Sequence, residues 1–391
     1  MKFLNIFKRK YKPILEPASN LGITETQLIA RDIILNKVIP IDKTGEINRK
    51  ITGIDSESDK TVHAIIVSDF SEVTSSSNRL ALSLARQIAL FSHFPNFDES
   101  NGKNRTNITF IDISSISNLN NVFDALKLET KNLFELCHWH IHDSSGSISL
   151  NDNAQSYIDI QFNFFNLKLD EISSFIDNKI SSNNIVSIFH DNCPITNLKS
   201  NHILQCYNFA NTTNVIEPNL KRAQLANMIY QKGINLTEIR DISDINSYNK
   251  TLNYYSKNLK WKIINEEWQN LQPELKLSSL FCVDCFESRI RSANYEINDK
   301  NITALAYTEH ARWNVEKLIL GYRPYTIKEK YDDNSNYGET KIRIRKDKKN
   351  TEKAHIDICS CNELIRVNKE DIKYDYFLTL CIPHILKREK K

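Results

Sequence analysis

Glycine is scarce in this chain: 8 of 391 residues, with none between Gly53 and Gly102. Backbone cradles for phosphate need residues without a side chain at the turn, so most of them are excluded over that gap. There is no Gly-x-x-x-x-Gly-Lys-Ser/Thr loop, no Gly-x-Ser-x-Gly elbow and no His-Glu-x-x-His metal pair. Long apolar runs are also missing. None approaches the roughly 18 residues that a membrane-spanning helix needs. Neither charge sign dominates: 51 Lys and Arg face 48 Asp and Glu, a net charge of +3. That balance makes no case for specific nucleic-acid binding. The eight cysteines are too dispersed for a disulfide framework. The opening residues alternate apolar and basic side chains, with no continuous apolar core or small-residue cleavage site. Reduced thiols and a cytoplasmic location are the expectation.

What is present is ordinary globular material, 40% hydrophobic and 25% charged, in a length that suits two domains. Residues 1–57 read as an N-terminal segment and linker. Residues 1–12, rich in Lys and Arg, either fray in solvent or touch an anionic membrane. From residue 58 strand and helix signals alternate. Short branched apolar runs at 63–67, 108–112 and 185–189 predict buried strands, with a further strand at 157–162 and a short one at 215–216. Helical spacing predicts helices at 78–91, 122–136, 169–176, 198–209 and 220–231. Such alternation predicts a doubly wound, Rossmann-like α/β domain over residues 58–245. No repeat of fixed period occurs.

The order strand, loop, helix, strand resembles the start of the Rossmann domain found in bacterial potassium-uptake proteins. That resemblance implies a nucleotide-like ligand, with Asp112 on a ribose hydroxyl. The first loop, residues 68–77, departs from it: it has no glycine and carries Asp69 and Glu72. Ordinary dinucleotide binding is therefore not expected. Ser75 and Ser76 remain candidates. They either offer hydroxyls and helix N-terminal N–H groups to an anion, or one of them simply caps the helix. Asp112 is either a ligand contact or a turn residue at the strand end.

Residues 246–391 turn helical and aromatic. Residues 275–291 read as helix, and the basic run at 341–353 as a solvated loop. Between them lies the most informative stretch, Leu-Ala-Tyr-Thr-Glu-His-Ala-Arg-Trp-Asn-Val-Glu-Lys-Leu at 305–318, followed by Gly321-Tyr322-Arg323. At about 100° per residue, Glu316 falls within about 20° of Glu309, Trp313 at about 40° and Arg312 at about 60° on the other side. Ala304, Tyr307, Ala311, Val315 and Leu318 gather opposite as a core stripe. Both faces therefore want partners. Glu309, Arg312 and Glu316 read either as intrahelical ion pairs or as ligand contacts. Trp313 reads as a packing anchor or as an aromatic wall.

This stretch resembles the repeat domain of ryanodine receptors, the RyR domain, which also occurs in bacterial proteins. Lys353-Ala354-His355, Glu363-Leu364, Asp371 and Ile382-Pro383 form a second, weaker block of the same order. The resemblance covers residues 303–386, with a longer and more charged insert at 325–350. It implies a small helical bundle that binds or regulates, with Glu309, His310, Arg312, Trp313, Glu316 and His355 at the matching positions. The ligand cleft would have Trp313 as a wall, Arg312 at its open edge as an anion contact, and Glu309 and Glu316 as acceptors.

Two weaker constellations complete the reading. His138, His140 and His142 share one face if extended, and Cys282/Cys285 and Cys359/Cys361 are thiol pairs. A metal is not expected at either; Cys282 reads as a small hydrophobe inside a helix. No nucleophile and base assemble. The expected function is that of a non-enzymatic ligand-sensing or regulatory protein. The alternatives are a nucleotide-processing enzyme with an unrecognised site and a peripheral regulator of a membrane transporter or channel.

Overall fold

A computed structural model of the chain describes residues 21–35, 54–58, 61–72, 76–98, 102–114, 116, 118–142, 158–166, 185–189, 203–207, 219–234, 249–250, 252, 260–368 and 371–389. Strands β1 (Thr61–Ser68), β2 (Asn107–Asp112), β3 (His138–His142), β4 (Ile158–Asn166), β5 (Ile185–Phe189) and β6 (Ile203–Tyr207) form one sheet in the order β3-β2-β1-β4-β5-β6. Every pairing in it is parallel. This is the strand order of a Rossmann-like α/β fold. A mainly helical region follows, as expected.

Helices α1 (Glu25–Ile33), α2 (Ser76–Phe91) and α3 (Leu119–Glu129) belong to the first half. Thr24 and Gln27 start α1 with a reciprocal capping box. Ala64 and Ile66 of β1 and Ile108 and Phe110 of β2 alternate onto one sheet face. There they share a core with Leu84 and Ile88 of α2 and Val122 of α3. The period-two pattern of the strands thus meets the helical stripe of α2.

The second half contains α4 (Leu220–Ile234), α5 (Trp261–Asn270), α6 (Pro273–Asp284), α7 (Phe286–Ser292), α8 (Ile302–Ile319), α9 (Ile327–Asn334), α10 (Gly338–Thr351), α11 (Cys361–Asn368) and α12 (Ile372–Glu389). Strands β7 (Arg323–Pro324) and β8 (Ala354–His355) pair in parallel beside them. A second core joins Leu225 and Ile229 of α4, Trp268 of α5, Leu280 of α6, Ala306 of α8 and Leu380 of α12. Helix α4 lies within the span assigned to the sheet domain, yet its buried side chains pack in this helical core. The two halves are stitched by α1. Ile29 packs with the sheet and Leu28 with the helices. Buried Arg31 grips Asp284 at 2.7 and 2.8 Å. Helix α8 is similarly shared, with Val315 in the sheet core and Ala306 in the helical one.

Several expectations need correction. The segment expected as a helix at 198–209 contains β6, which pairs with β5 from Ile185↔Ile203 to Phe189↔Tyr207. A tertiary ladder has overridden a helical-looking spacing. The helix expected at 122–136 stops at Glu129, and a separate 3₁₀ turn runs Lys131–Glu135. The basic run is a helix, α10. Its Arg345 and Lys341 pair with Asp333, and its Lys348 with Glu329, so carboxylates of α9 offset the like-charge repulsion. The helix expected at 169–176, the strand at 215–216 and the basic segment at 1–12 lie outside the described residues. No described helix is long and apolar enough to cross a membrane.

Candidate ligand cavity

Helix α8 carries the signature residues, and it is buried on both faces. It ends in a Schellman turn. Gly321, at φ +82°, allows the Tyr322 N–H to reach the Lys317 carbonyl at 2.9 Å and the Gly321 N–H to reach Leu318 at 3.1 Å. That turn sends the chain into β7. Its partner β8 then places His355 beside Trp313, ring to ring at 5.1 Å.

The charged stripe of α8 is ion-paired within the protein. Glu309 is 0% exposed, Arg312 1% and Glu316 0%. Arg312 donates Nη2 to Glu309 at 2.8 Å and Nη1 to Glu316 at 2.7 Å. Arg289 from α7 closes on the other Glu309 oxygen. Lys317 lies 3.1 Å from Glu316 and 3.3 Å from Glu274. Three cations thus alternate with three carboxylates. Burial opposes ionisation of Glu309, but Arg289 and Arg312 outweigh it and hold its carboxyl below the ordinary range. Burial likewise opposes ionisation of Glu316, where Lys317 and Arg312 prevail. Two expectations are corrected here. Arg312 does not stand at an open edge, and Glu309 and Glu316 are buried and ion-paired to Arg289, Arg312 and Lys317, although Glu316 Oε1 accepts no hydrogen bond.

Beside this stripe lies a cavity of about 310 Å³, walled by α4, α6, α8, α10, α12 and the β8 loop. His310, Arg312, Trp313 and His355 all line it, whereas Glu309 and Glu316 do not. His310 places Nδ1 3.1 Å from Asp375 and Nε2 3.0 Å from the Cys359 carbonyl. A carbonyl only accepts, so Nε2 must donate; the carboxylate takes the other ring proton. Burial works against that charge, but Asp375 and the Cys359 carbonyl raise His310 well above the usual histidine range. The His310 ring stacks near Trp313 at 5.9 Å and 18°. His355 is the opposite case. Burial drives its pKa down to about 4, helped by Lys349 and Lys317 against Asp357. Its Nδ1 accepts the Asp357 N–H at 3.3 Å, which leaves the proton on Nε2.

The acidic side of the cavity was only partly visible in the sequence. Asp371 belongs to the weak second block, but Asp357 and Tyr230 carry no motif. Asn368 Nδ2 donates to Asp357 at 3.0 Å and also to Asp371. Burial and the neighbouring Asp357 push Asp371 up to about 7. Tyr230 and Tyr374 meet edge to face at 5.6 Å on the same wall.

The sheet half was the other nominated place. Asp112 is 0% exposed, and its Oδ1 accepts from the Phe70 N–H at 3.0 Å, the Ser114 N–H at 2.9 Å and the Ser114 hydroxyl at 2.7 Å. It clasps the loops after β1 and β2 together. Phe70, also 0% exposed, turns inward against Phe110. Ser75 lies outside the described residues; Ser76 is the first residue of α2, and its side chain is not described.

His138, His140 and His142 do share one face of β3, and all three are exposed. Cys282 and Cys285 are buried, and burial pushes Cys285 up to about 12 and Cys282 well above its usual value. Both therefore behave as small hydrophobes. No cluster of three or more His, Cys, Asp or Glu with metal-holding geometry occurs among the described residues. No family model, curated protein or solved structure matches the chain.

Proposed function

We propose that this chain is a ligand-sensing regulatory protein whose helical half, in the manner of the RyR repeat it resembles, binds a small molecule in the cavity beside α8. One observation carries the reading. His310, Arg312 and Trp313 come from the first signature block and His355 from the second, and the fold gathers them around one cavity of about 310 Å³. That size and the mixed aromatic and polar lining suit a small-molecule site. Helix α8 also packs on α2 of the sheet half, so occupancy has a direct route to the other domain.

A nucleotide-processing enzyme is the second reading, supported by Asp371. A carboxyl pushed up to about 7 beside a second carboxylate, in a cavity, suits proton transfer. The high-pKa thiol of Cys282 in the same wall is no nucleophile.

The test is a thermal-shift screen of nucleotides and cyclic dinucleotides on the whole chain and on Trp313→Ala. A ligand at about 100 times its Kd stabilises by about 2.7 kcal/mol. The shift is expected in the wild type and lost in Trp313→Ala. A shift that persists in the variant removes the cavity as the site. Chromatographic turnover of the hit moves the protein to the enzyme reading.

A further inference from the structure

Helix α10 belongs to the charged insert that sets this chain apart from the RyR pattern, and three of its six cations have ion-pair partners. Arg345 and Lys341 reach Asp333, and Lys348 reaches Glu329 and Glu352. Lys349 is one residue further along, about 100° round the helix, and therefore leaves that ion-paired face. It points to the cavity and lines it together with Lys317 and His355. Lys349 has no ion pair or hydrogen bond among the described residues. Burial, then the nearby Lys317, press against its charged form. His355 adds a second unspent donor. With Nδ1 occupied by the Asp357 N–H, its proton sits on Nε2, which has no partner among the described residues. Two cations and an N–H thus converge on one end of the cavity; Asp357 and Glu274 act on Lys349 through their field, but neither forms an ion pair with it.

We infer that this end of the cavity is an anion subsite, and that the ligand carries a phosphate or carboxylate group held by Lys349 and the His355 Nε2–H, with Lys317 adding positive field. This rests on the reading of the cavity as a ligand site. Lysine serves as a point charge for such groups, and a partly enclosed site strengthens the contact. Lys317 itself stays with Glu316 and Glu274, so Lys349 is the cation left to take a ligand group.

The experiment uses the whole chain with orthophosphate, pyrophosphate and succinate as probes, each against sodium chloride at matched ionic strength. Binding is followed by thermal shift and calorimetry on wild type, Lys349→Ala, Lys349→Arg and the exposed neighbour Lys346→Ala. At least one probe is expected to bind wild type. Lys349→Ala should weaken it by about tenfold or more, the scale of one charge-assisted hydrogen bond. Lys349→Arg and Lys346→Ala should keep it. Response to the phosphates but not to succinate assigns a phosphate-bearing ligand, and the reverse a carboxylate. Absence of any shift beyond sodium chloride in the wild type overturns the inference, and so does undiminished binding in Lys349→Ala. A screening hit that depends on Trp313 but not on Lys349 leaves the cavity reading standing and removes the anion subsite alone.

Discussion

The two places in this molecule that sequence nominates for ligands have opposite fates. After β1, where a Rossmann-like fold ordinarily receives a ligand, Phe70 fills the core and Asp112 spends three bonds tying the loops together. Beside α8, polar groups also crowd, but Lys349 and the Nε2 of His355 keep bonding capacity that no described residue takes up. Having the fold of a binding domain is therefore a poor guide to where binding capacity lies. What separates the two places is whether donors and acceptors are already matched within the protein.

The largest effect expected from breaking this contrast comes from Arg312. It touches the cavity, yet its bonds run to Glu309 and Glu316. Arg312→Ala leaves two fully buried carboxylates short of a cation, and breaking a buried pair costs about 3–5 kcal/mol. Urea unfolding of the variant should show a loss of that size without any ligand. A loss under about 1 kcal/mol, together with loss of ligand binding, would return Arg312 to the open edge where its pattern first placed it.

How far the sequence could be read depended on whether a feature is local. Strands β1 and β2 were visible as branched apolar runs, because burial on both faces of a parallel sheet demands them, and β5 was read from the same composition. The helix of residues 302–319 was visible from its spacing, and so was its need for partners on both faces. The identity of those partners was not. Arg289 lies twenty residues upstream of Glu309 on another helix, and nothing local pairs them. Strand β6 was misread because Ile203–Tyr207 suits either state until β5 supplies a ladder. The insert was misread because a basic run looks solvated until Asp333 and Glu329 are opposite it. Lys349 was hidden for the same reason.

Asp112 gives the next effect. Asp112→Ala strips a buried acceptor from the Phe70 N–H and from both donors of Ser114. Unmatched buried donors cost about 1–3 kcal/mol, so thermal melting should fall accordingly. Anion or nucleotide shifts in the helical half should be unchanged. If instead a ligand shift disappears in Asp112→Ala and survives in Trp313→Ala, the two regions exchange roles and the sheet crevice becomes the site.

Asp371 gives the smallest effect, a slope with pH. Its carboxyl titrates near 3.8 in the unfolded chain and is pushed up to about 7 by burial and by Asp357 in the folded one. Between those values the folded chain holds a proton that the unfolded chain has released. Its stability therefore falls as pH rises through that window, and is greatest, for this group, at the acid end. Asp371→Asn keeps the shape of the protonated side chain and removes the titration. At pH 4 it should melt close to wild type; by pH 7 it should melt higher, and the difference should grow steadily in between. Equal slopes for the two proteins would mean that Asp357 and Asp371 do not share a proton. The acidic wall would then be solvated like an open surface, and the enzyme reading, which needs that held proton, would lose its support.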